Sequence, residues 1–327
     1  MSRLSEFELI RRFFTHHSPG AILGVGDDAA LVRASAGTEL AISADMLVEG
    51  RHFLRGADPA LLGHKALAVN LSDMAAMGAT PRWATLALAL PGVDARWLSA
   101  FARGFMALAR KHRVDLVGGD TTRGPLTICV QIMGEVPRGR ALRRDGAKAG
   151  DEIWVSGRLG EAALALEGRI KIAPRERAIL ARRLHAPTPR VSLGIALRGI
   201  ARSAIDISDG LLADLGHICE RSKVRAVVEW ERVPVAPLVR KLASGRSAMA
   251  AALGGGDDYE LCFTAPRARR EAVERAGRLS RVPVTRIGRI VSGPSRVQTV
   301  RGAARVDVVD ADGKALRANR QGYDHFR

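Results

Sequence analysis

Seven aspartates in this chain stand where backbone, rather than solvent, holds the carboxylate. Asp27 and Asp28, Asp120, and Asp257 and Asp258 follow glycine singly or in pairs, while Asp45 and Asp206 lie in short apolar surroundings. Asp73 is an eighth. It sits in Ala68-Val69-Asn70-Leu71-Ser72-Asp73-Met74-Ala75-Ala76-Met77, a helical pattern so apolar that its charge must be paired or bind a metal. Carboxylates on separate rigid elements, with no His or Cys cluster beside them, suit a hard, oxygen-seeking ion such as Mg²⁺, which commonly works with substrate phosphates. The chemistry indicated is phosphoryl or nucleotidyl transfer. Taken singly, each aspartate also reads as a turn or cap residue; taken together they point to one shared role.

Other chemistries find no support. There is no Gly-x-x-x-x-Gly-Lys-Ser/Thr loop, no Gly-x-Ser-x-Gly elbow and no His-Glu-x-x-His. Gly24-x-Gly26 has Ala29 at the third glycine of a dinucleotide fingerprint, and Asp27-Asp28 would set two negative charges against a pyrophosphate. His16-His17 reads as solvated. His52, in one short loop with Asp45, suits either a structural role or a contact to an anionic substrate. Cys129, Cys219 and Cys262 are far apart and odd in number, which indicates packing residues rather than disulfides or a zinc site.

The elements that must carry these residues can be placed. Ser5-x-x-Glu8 has capping-box spacing ahead of Phe7, Ile10 and Phe14, so the chain opens with a short helix. Ala21–Leu23 and Leu40–Ser43 are apolar stretches leading into Gly24-Val25-Gly26-Asp27-Asp28 and Ala44-Asp45. Asp58-Pro59 starts a helix that passes through Lys65 and Asp73 and stops near Gly78. A second helix spans about Asp94 to His112. Val114–Val117 reads as a strand ending at Gly118-Gly119-Asp120, and Leu126, Ile128, Val130 and Ile132 alternate as the next. Pro137–Gly150, rich in Arg and Gly, is the expected boundary between domains 1–138 and 139–327. Beyond it come a strand at Ile153–Ser156, helices near 160–168 and 174–185, a strand through Asp206 into a helix past His217, and a glycine turn from Leu253 into a strand ending in Cys262-Phe263. The pattern is α+β or mixed α/β, in two domains.

With 327 residues, 47% hydrophobic and 26% charged, the composition is that of a globular protein. No apolar run approaches a membrane span and the N-terminus lacks a secretory pattern, so the expected location is cytoplasmic. The net charge of +17 raises the question of nucleic acid. Only seven of the 51 basic residues are Lys, however, and the arginines are scattered, with aromatics at 4%. A compositional bias toward Arg explains this without a nucleic-acid partner.

Six motifs, in order, resemble the thiamine-monophosphate kinase family: Gly24-Val25-Gly26-Asp27-Asp28-Ala29-Ala30, Ser43–Phe53, Lys65–Gly78, Gly118-Gly119-Asp120-Thr121-Thr122-Arg123-Gly124, Asp206-Ile207-Ser208-Asp209-Gly210-Leu211 and Gly322-Tyr323-Asp324-His325-Phe326. The acidic turns alone fit the wider superfamily of ATP-dependent synthetases related to aminoimidazole ribonucleotide synthetase, the alternative reading. The Asn70–Gly78 helix and the C-terminal motif narrow it to the kinases. The resemblance implies an N-terminal α+β domain that dimerises through its sheet into a β-barrel, and a C-terminal α/β domain. It implies a homodimeric enzyme that uses ATP, with several Mg²⁺ ions, to convert thiamine monophosphate to thiamine diphosphate, with no protein nucleophile. Carried over by motif, Asp28, Ser43, Asp45, Asp73, Asp120, Asp206 and Asp209 are the Mg²⁺ ligands. Gly119, Asp120, Arg144 and Ser208 contact the nucleotide, and His52 and Asp257 the thiamine phosphate. Three positions depart from the family pattern. Ala44 replaces the usual Thr and leaves only a backbone carbonyl for metal; Asp257 replaces Glu and shortens its reach; Arg320 stands where an aromatic often precedes the C-terminal motif.

Overall fold

The computed structural model describes residues 5–166, 172–293 and 306–316. Arg320 and the Gly322–Phe326 motif lie outside the described residues. The chain divides into two compact units, one of Met1–Met74 and Ala79–Gly139, the other of Ala75–Gly78 and Arg140–Arg327.

In the first unit, local caps set the helices. The Ser5 hydroxyl oxygen and backbone N–H exchange bonds with Glu8 in a capping box that begins α1 (Glu6–Phe13). After the short antiparallel pair β1 (Ala21–Leu23) and β2 (Leu31–Val32) comes β3 (Thr38–Val48). The Asp58 carboxylate accepts the Leu61 N–H at 2.9 Å and starts α2 (Pro59–Ala76). Leu67, Leu71 and Met74 on it are fully buried. Then follow β4 (Thr80–Leu90), α3 (Ala95–His112, capped by Asp94), β5 (Asp115–Arg123) and β6 (Thr127–Pro137). The strands form one sheet in the order β3-β6-β4-β5, parallel only between β4 and β5. Trp83, Phe101 and Phe105 anchor its core. The sheet does not close on itself, so there is no barrel within this unit.

Two strands run further than their sequence suggests. β5 does not end at Gly118-Gly119-Asp120 but continues to Arg123, because β4 lies alongside and pairs with each residue from Gly118 to Arg123. Gly119 makes that possible. Its φ is 152°, and a Cβ there would lie 1.9 Å from the Leu86 carbonyl oxygen. Likewise Asp45 does not share a loop with His52 but lies within β3, which pairs with β6 along its whole length.

The second unit holds β7 (Asp151–Ser156), α4 (Glu161–Leu166), α5 (Pro174–His185), α6 (Val191–Ala196), β8 (Ser203–Asp206), α7 (Leu211–Ser222) and β9 (Val224–Glu229). These are followed by α8 (Pro237–Leu242), α9 (Gly245–Gly254), β10 (Leu261–Pro266), α10 (Arg270–Ser280), β11 (Val284–Ser292), β12 (Val306–Val309) and β13 (Ala315–Leu316). The sheet order is β13-β12-β9-β11-β7-β10-β8, antiparallel except where β12 joins β9. Ile153, Val155, Ile205 and Ile207 from the sheet side and Leu211, Leu215 and Ile218 from α7 share one core. Leu253 and Gly254, expected in the glycine turn, close α9 instead; the turn begins at Gly255.

Candidate functional site

In the first unit, Ser43 and Asp45 are alternate residues of β3 and so share one face. Their partners on β6 are the buried Ile132 and Val130. α2 covers this face, and the Ser43 hydroxyl donates to Asp73 Oδ2 at 2.6 Å. Ser43, Asp45 and Asp73 thus belong to one strand-and-helix layer. The register puts Gly119 in the same row as Asp45, through Leu86 and Val130, whereas Asp120 falls in the row of Ala87, Cys129 and Met46. Asp120 therefore does not share the face of Ser43 and Asp45. Asp28 is exposed in its turn, with its N–H on Asp27 Oδ1 at 2.9 Å.

His52 closes the turn after β3. The Val48 N–H donates to its Nδ1 at 3.0 Å, which makes Nε2 the proton-bearing nitrogen of the neutral ring. The buried Lys65 ammonium reaches the His52 carbonyl at 3.4 Å, so side chain and backbone of the turn are both held.

In the second unit, β8 delivers the buried Asp206 to the loop Ile207–Gly210, from which α7 starts. A helix start normally offers its first N–H groups to an anion. Here the amides of the loop just before that start are taken: Asp214 Oδ2 accepts the N–H groups of Ser208, Asp209 and Gly210, each at 3.1 Å. Burial pushes the Asp214 carboxyl well above the usual range, and the nearby charges of Asp206 and Asp209 push it the same way. Beside those amides the loop presents oxygen donors, from Ser208, Asp206 and Asp209, and the last two are the charges that raise the Asp214 carboxyl. That donor set fits a hard divalent cation better than a phosphate. Among the described residues no three acidic, His or Cys side chains converge on a single point. Mg²⁺ does not require that, since it is commonly held by one or two carboxylates plus substrate phosphates and water.

Sequence reasoning missed Asp214. Its signal is positional, since a carboxylate four residues after Gly210, in the first turn of the helix, can turn back on the loop amides that precede it.

Arg144 is exposed on the loop before β7, its carbonyl accepting the Ser222 hydroxyl at 2.8 Å. Asp257 lies in the segment before β10 and its N–H donates to the Ser208 carbonyl at 2.8 Å, which joins the acidic loop to the expected acceptor contact. The arginine excess is in part consumed by ion pairs with acids of this unit: Arg183 with Glu161, Arg190 with Glu260, Arg202 with Asp151, Arg270 with Glu152 and Arg286 with Glu229. No helix among the described residues is long and apolar enough to cross a membrane.

The chain matches the AIR synthase related proteins, whose N-terminal domain model covers residues 26–136 and whose C-terminal domain model covers residues 148–300. The thiamine-monophosphate kinase of Salmonella typhimurium (strain LT2) is 45% identical, over 98% of each chain. The crystal structure of thiamine-monophosphate kinase from Stenotrophomonas maltophilia K279a superimposes with a TM-score of 0.82 at 48% identity, covering 91% of this chain and 93% of that one. A structure of AaThiL complexed with AMPPCP and TMP gives a TM-score of 0.75 at 31% identity, covering 100% of this chain and 99% of that one. The chain belongs to the AIR synthase related family and, within it, to the thiamine-monophosphate kinases.

Proposed function

We propose that the protein transfers the γ-phosphoryl group of ATP to thiamine monophosphate, giving thiamine diphosphate and ADP. The observation that carries this reading is the likeness to thiamine-monophosphate kinases along the whole chain, 45% identical over 98% of each sequence. The related structure complexed with AMPPCP, an ATP analogue, and TMP supports the same pair of substrates.

The acceptor is a phosphate monoester whose second pKa is about 6, so it is largely dianionic at neutral pH and needs no general base. The task left to the protein is to bring two polyanions into line. Bound Mg²⁺ supplies charge neutralisation on the phosphates and orientation for in-line transfer. Taken unit by unit, the residues that would hold it are Asp28, Ser43, Asp45 and Asp73 in the first, with Asp120 on the other face of the sheet, and Asp206 and Asp209 in the second. Ser43 fixes the Asp73 carboxylate, and Asp214, by taking three amides, turns the Ser208–Gly210 loop toward oxygen-donor chemistry. Gly119, Asp120, Arg144 and Ser208 contact the nucleotide in this reading. His52 offers Nε2–H to the acceptor phosphate, and Asp257 meets the cationic thiamine. Transfer is direct, without a phosphoenzyme.

A homodimer and a cytoplasmic location belong to the same reading, as does a barrel formed by two first-unit sheets. On the sheet face turned away from α2, the edge strand β3 exposes Leu40, Ile42 and Met46, the last two at 58% and 56%. A second copy laid against this face would bury that apolar edge.

Product chromatography tests the activity. With ATP and Mg²⁺, thiamine monophosphate yields thiamine diphosphate and unphosphorylated thiamine yields nothing; ATP consumption without thiamine diphosphate would move the protein to a sister synthetase of the superfamily.

A further inference from the structure

Asp257 and Tyr259, two residues apart and neither a glycine, both hold left-handed backbone, with φ of 64° and 49°. Such strain persists only where the surroundings over-determine it, and it gathers at functional segments. Here the restraints are explicit. The Asp257 N–H donates to the Ser208 carbonyl and the Tyr259 N–H to the Ile207 carbonyl, both at 2.8 Å, while the Ile207 N–H donates to the Glu260 carbonyl at 2.8 Å. Gly256 allows the approach, since a Cβ there would lie 2.2 Å from the Ser208 carbonyl oxygen.

The residues between are anchors. Both carboxylate oxygens of the buried Asp258 accept the Gly160 N–H at 3.1 Å. Glu260, with no exposed surface, accepts the Ser156 hydroxyl at 2.5 Å and a two-pronged contact from Arg190. With Asp258 and Glu260 held in this way, the side chains of Asp257 and Tyr259 meet each other. The Tyr259 hydroxyl donates to Asp257 Oδ1 at 3.0 Å. A strained segment whose alternate residues are buried anchors, and whose remaining pair bond together, is built to hold one carboxylate in one rotamer.

We propose that Tyr259 is the positioning residue for Asp257, fixing its carboxylate so that the negative charge meets the permanently cationic ring of the acceptor and selects cationic over neutral acceptors. This rests on the reading above, in which Asp257 contacts the acceptor. A carboxylate already ordered by its neighbour costs less entropy to engage, so the benefit falls on acceptor binding and not on ATP.

The test is steady-state kinetics of the full chain and of Tyr259→Phe, which keeps the ring volume and removes only the hydroxyl. The acceptors are thiamine monophosphate and its deaza analogue, whose thiophene ring carries no charge. Tyr259→Phe should raise KM for thiamine monophosphate about tenfold, the effect of one hydrogen bond to a charged group. KM for ATP and the melting temperature should stay as in the wild type, and the preference for the cationic acceptor should narrow by the same factor. Asp257→Asn should give a similar rise, and the double variant no more than Asp257→Asn alone, because both changes act through one carboxylate. An unchanged KM, an equal rise for both substrates, or additive losses in the double variant overturns the proposal while leaving the kinase reading intact. A wild-type protein that makes no thiamine diphosphate overturns the kinase reading, and this proposal with it.

Discussion

The hydroxyl of Ser43 lies 2.6 Å from Asp73 Oδ2 and ties the strand β3 to the helix α2 through a carboxylate set among buried apolar residues. A bond this short from a hydroxyl to a carboxylate is charge-assisted, and it orients the group. Asp73→Asn, which keeps the size and removes the charge, is expected to lower kcat by at least about 100-fold with the circular dichroism unchanged. Ser43→Ala should cost about 10- to 100-fold, as losses of orienting partners at metal sites do. Unaltered activity of Asp73→Asn at low Mg²⁺ would make Asp73 a structural residue only.

Gly118 and Gly119 are neighbours with opposite tolerance. A Cβ on Gly118 meets only the Thr85 methyl at 3.8 Å, while one on Gly119 strikes the Leu86 carbonyl at 1.9 Å with φ at 152°. Gly119→Ala should therefore lose about 2 kcal/mol or more of stability, together with ATP binding, and Gly118→Ala should change either by little. Denaturant melts of the two variants side by side check this.

Helix starts are legible in the sequence because they are local: Ser5 with Glu8, Asp58 with Pro59 and Asp94 each act within four residues. Strand ends are less so. β5 passes through Gly118-Gly119 because a distant strand, β4, pairs with it, and nothing inside the segment announces that partner. The site divides in the same way. The aspartates stand out by their glycine neighbours, but the bond from Ser43 to Asp73, the register that separates Asp120 from Asp45, and the capture of three amides by Asp214 all arise from tertiary placement.

Glu260 is fully buried, and Arg190, itself mostly buried, makes the two-pronged contact that neutralises it. Removing Arg190 leaves the buried carboxylate with only the longer contact to Arg183, at 3.3 Å, so Arg190→Met should destabilise the protein by about 3 kcal/mol. Replacing Glu260 by Leu in the same variant should recover part of that loss. Thermal unfolding of the single and double variants decides it, and a double variant no more stable than the single would remove the uncompensated charge as the cause.

His112, at the end of α3, has its pKa lowered to about 4, chiefly by burial and then by the neighbouring charges of Lys111 and His64. Its Nε2 is buried without a hydrogen-bond partner. A helix C-terminus would favour a cation, but here desolvation wins. A base whose folded pKa is depressed leaves stability intact above its unfolded value near 6.5 and removes it as pH falls from there toward 4. The melting temperature of the wild type should drop over that interval more steeply than that of His112→Phe. Parallel curves for the two proteins would show that His112 does not carry the effect.

Direct phosphoryl transfer is the central claim, and following the label of γ-³²P-ATP tests it most directly. With thiamine monophosphate and Mg²⁺, the label should appear in thiamine diphosphate in a one-to-one ratio with ADP. It should be lost when EDTA removes the metal, and the protein itself should stay unlabelled when given ATP alone. Stoichiometric label on the protein, or ADP formed without labelled thiamine diphosphate, would contradict the account.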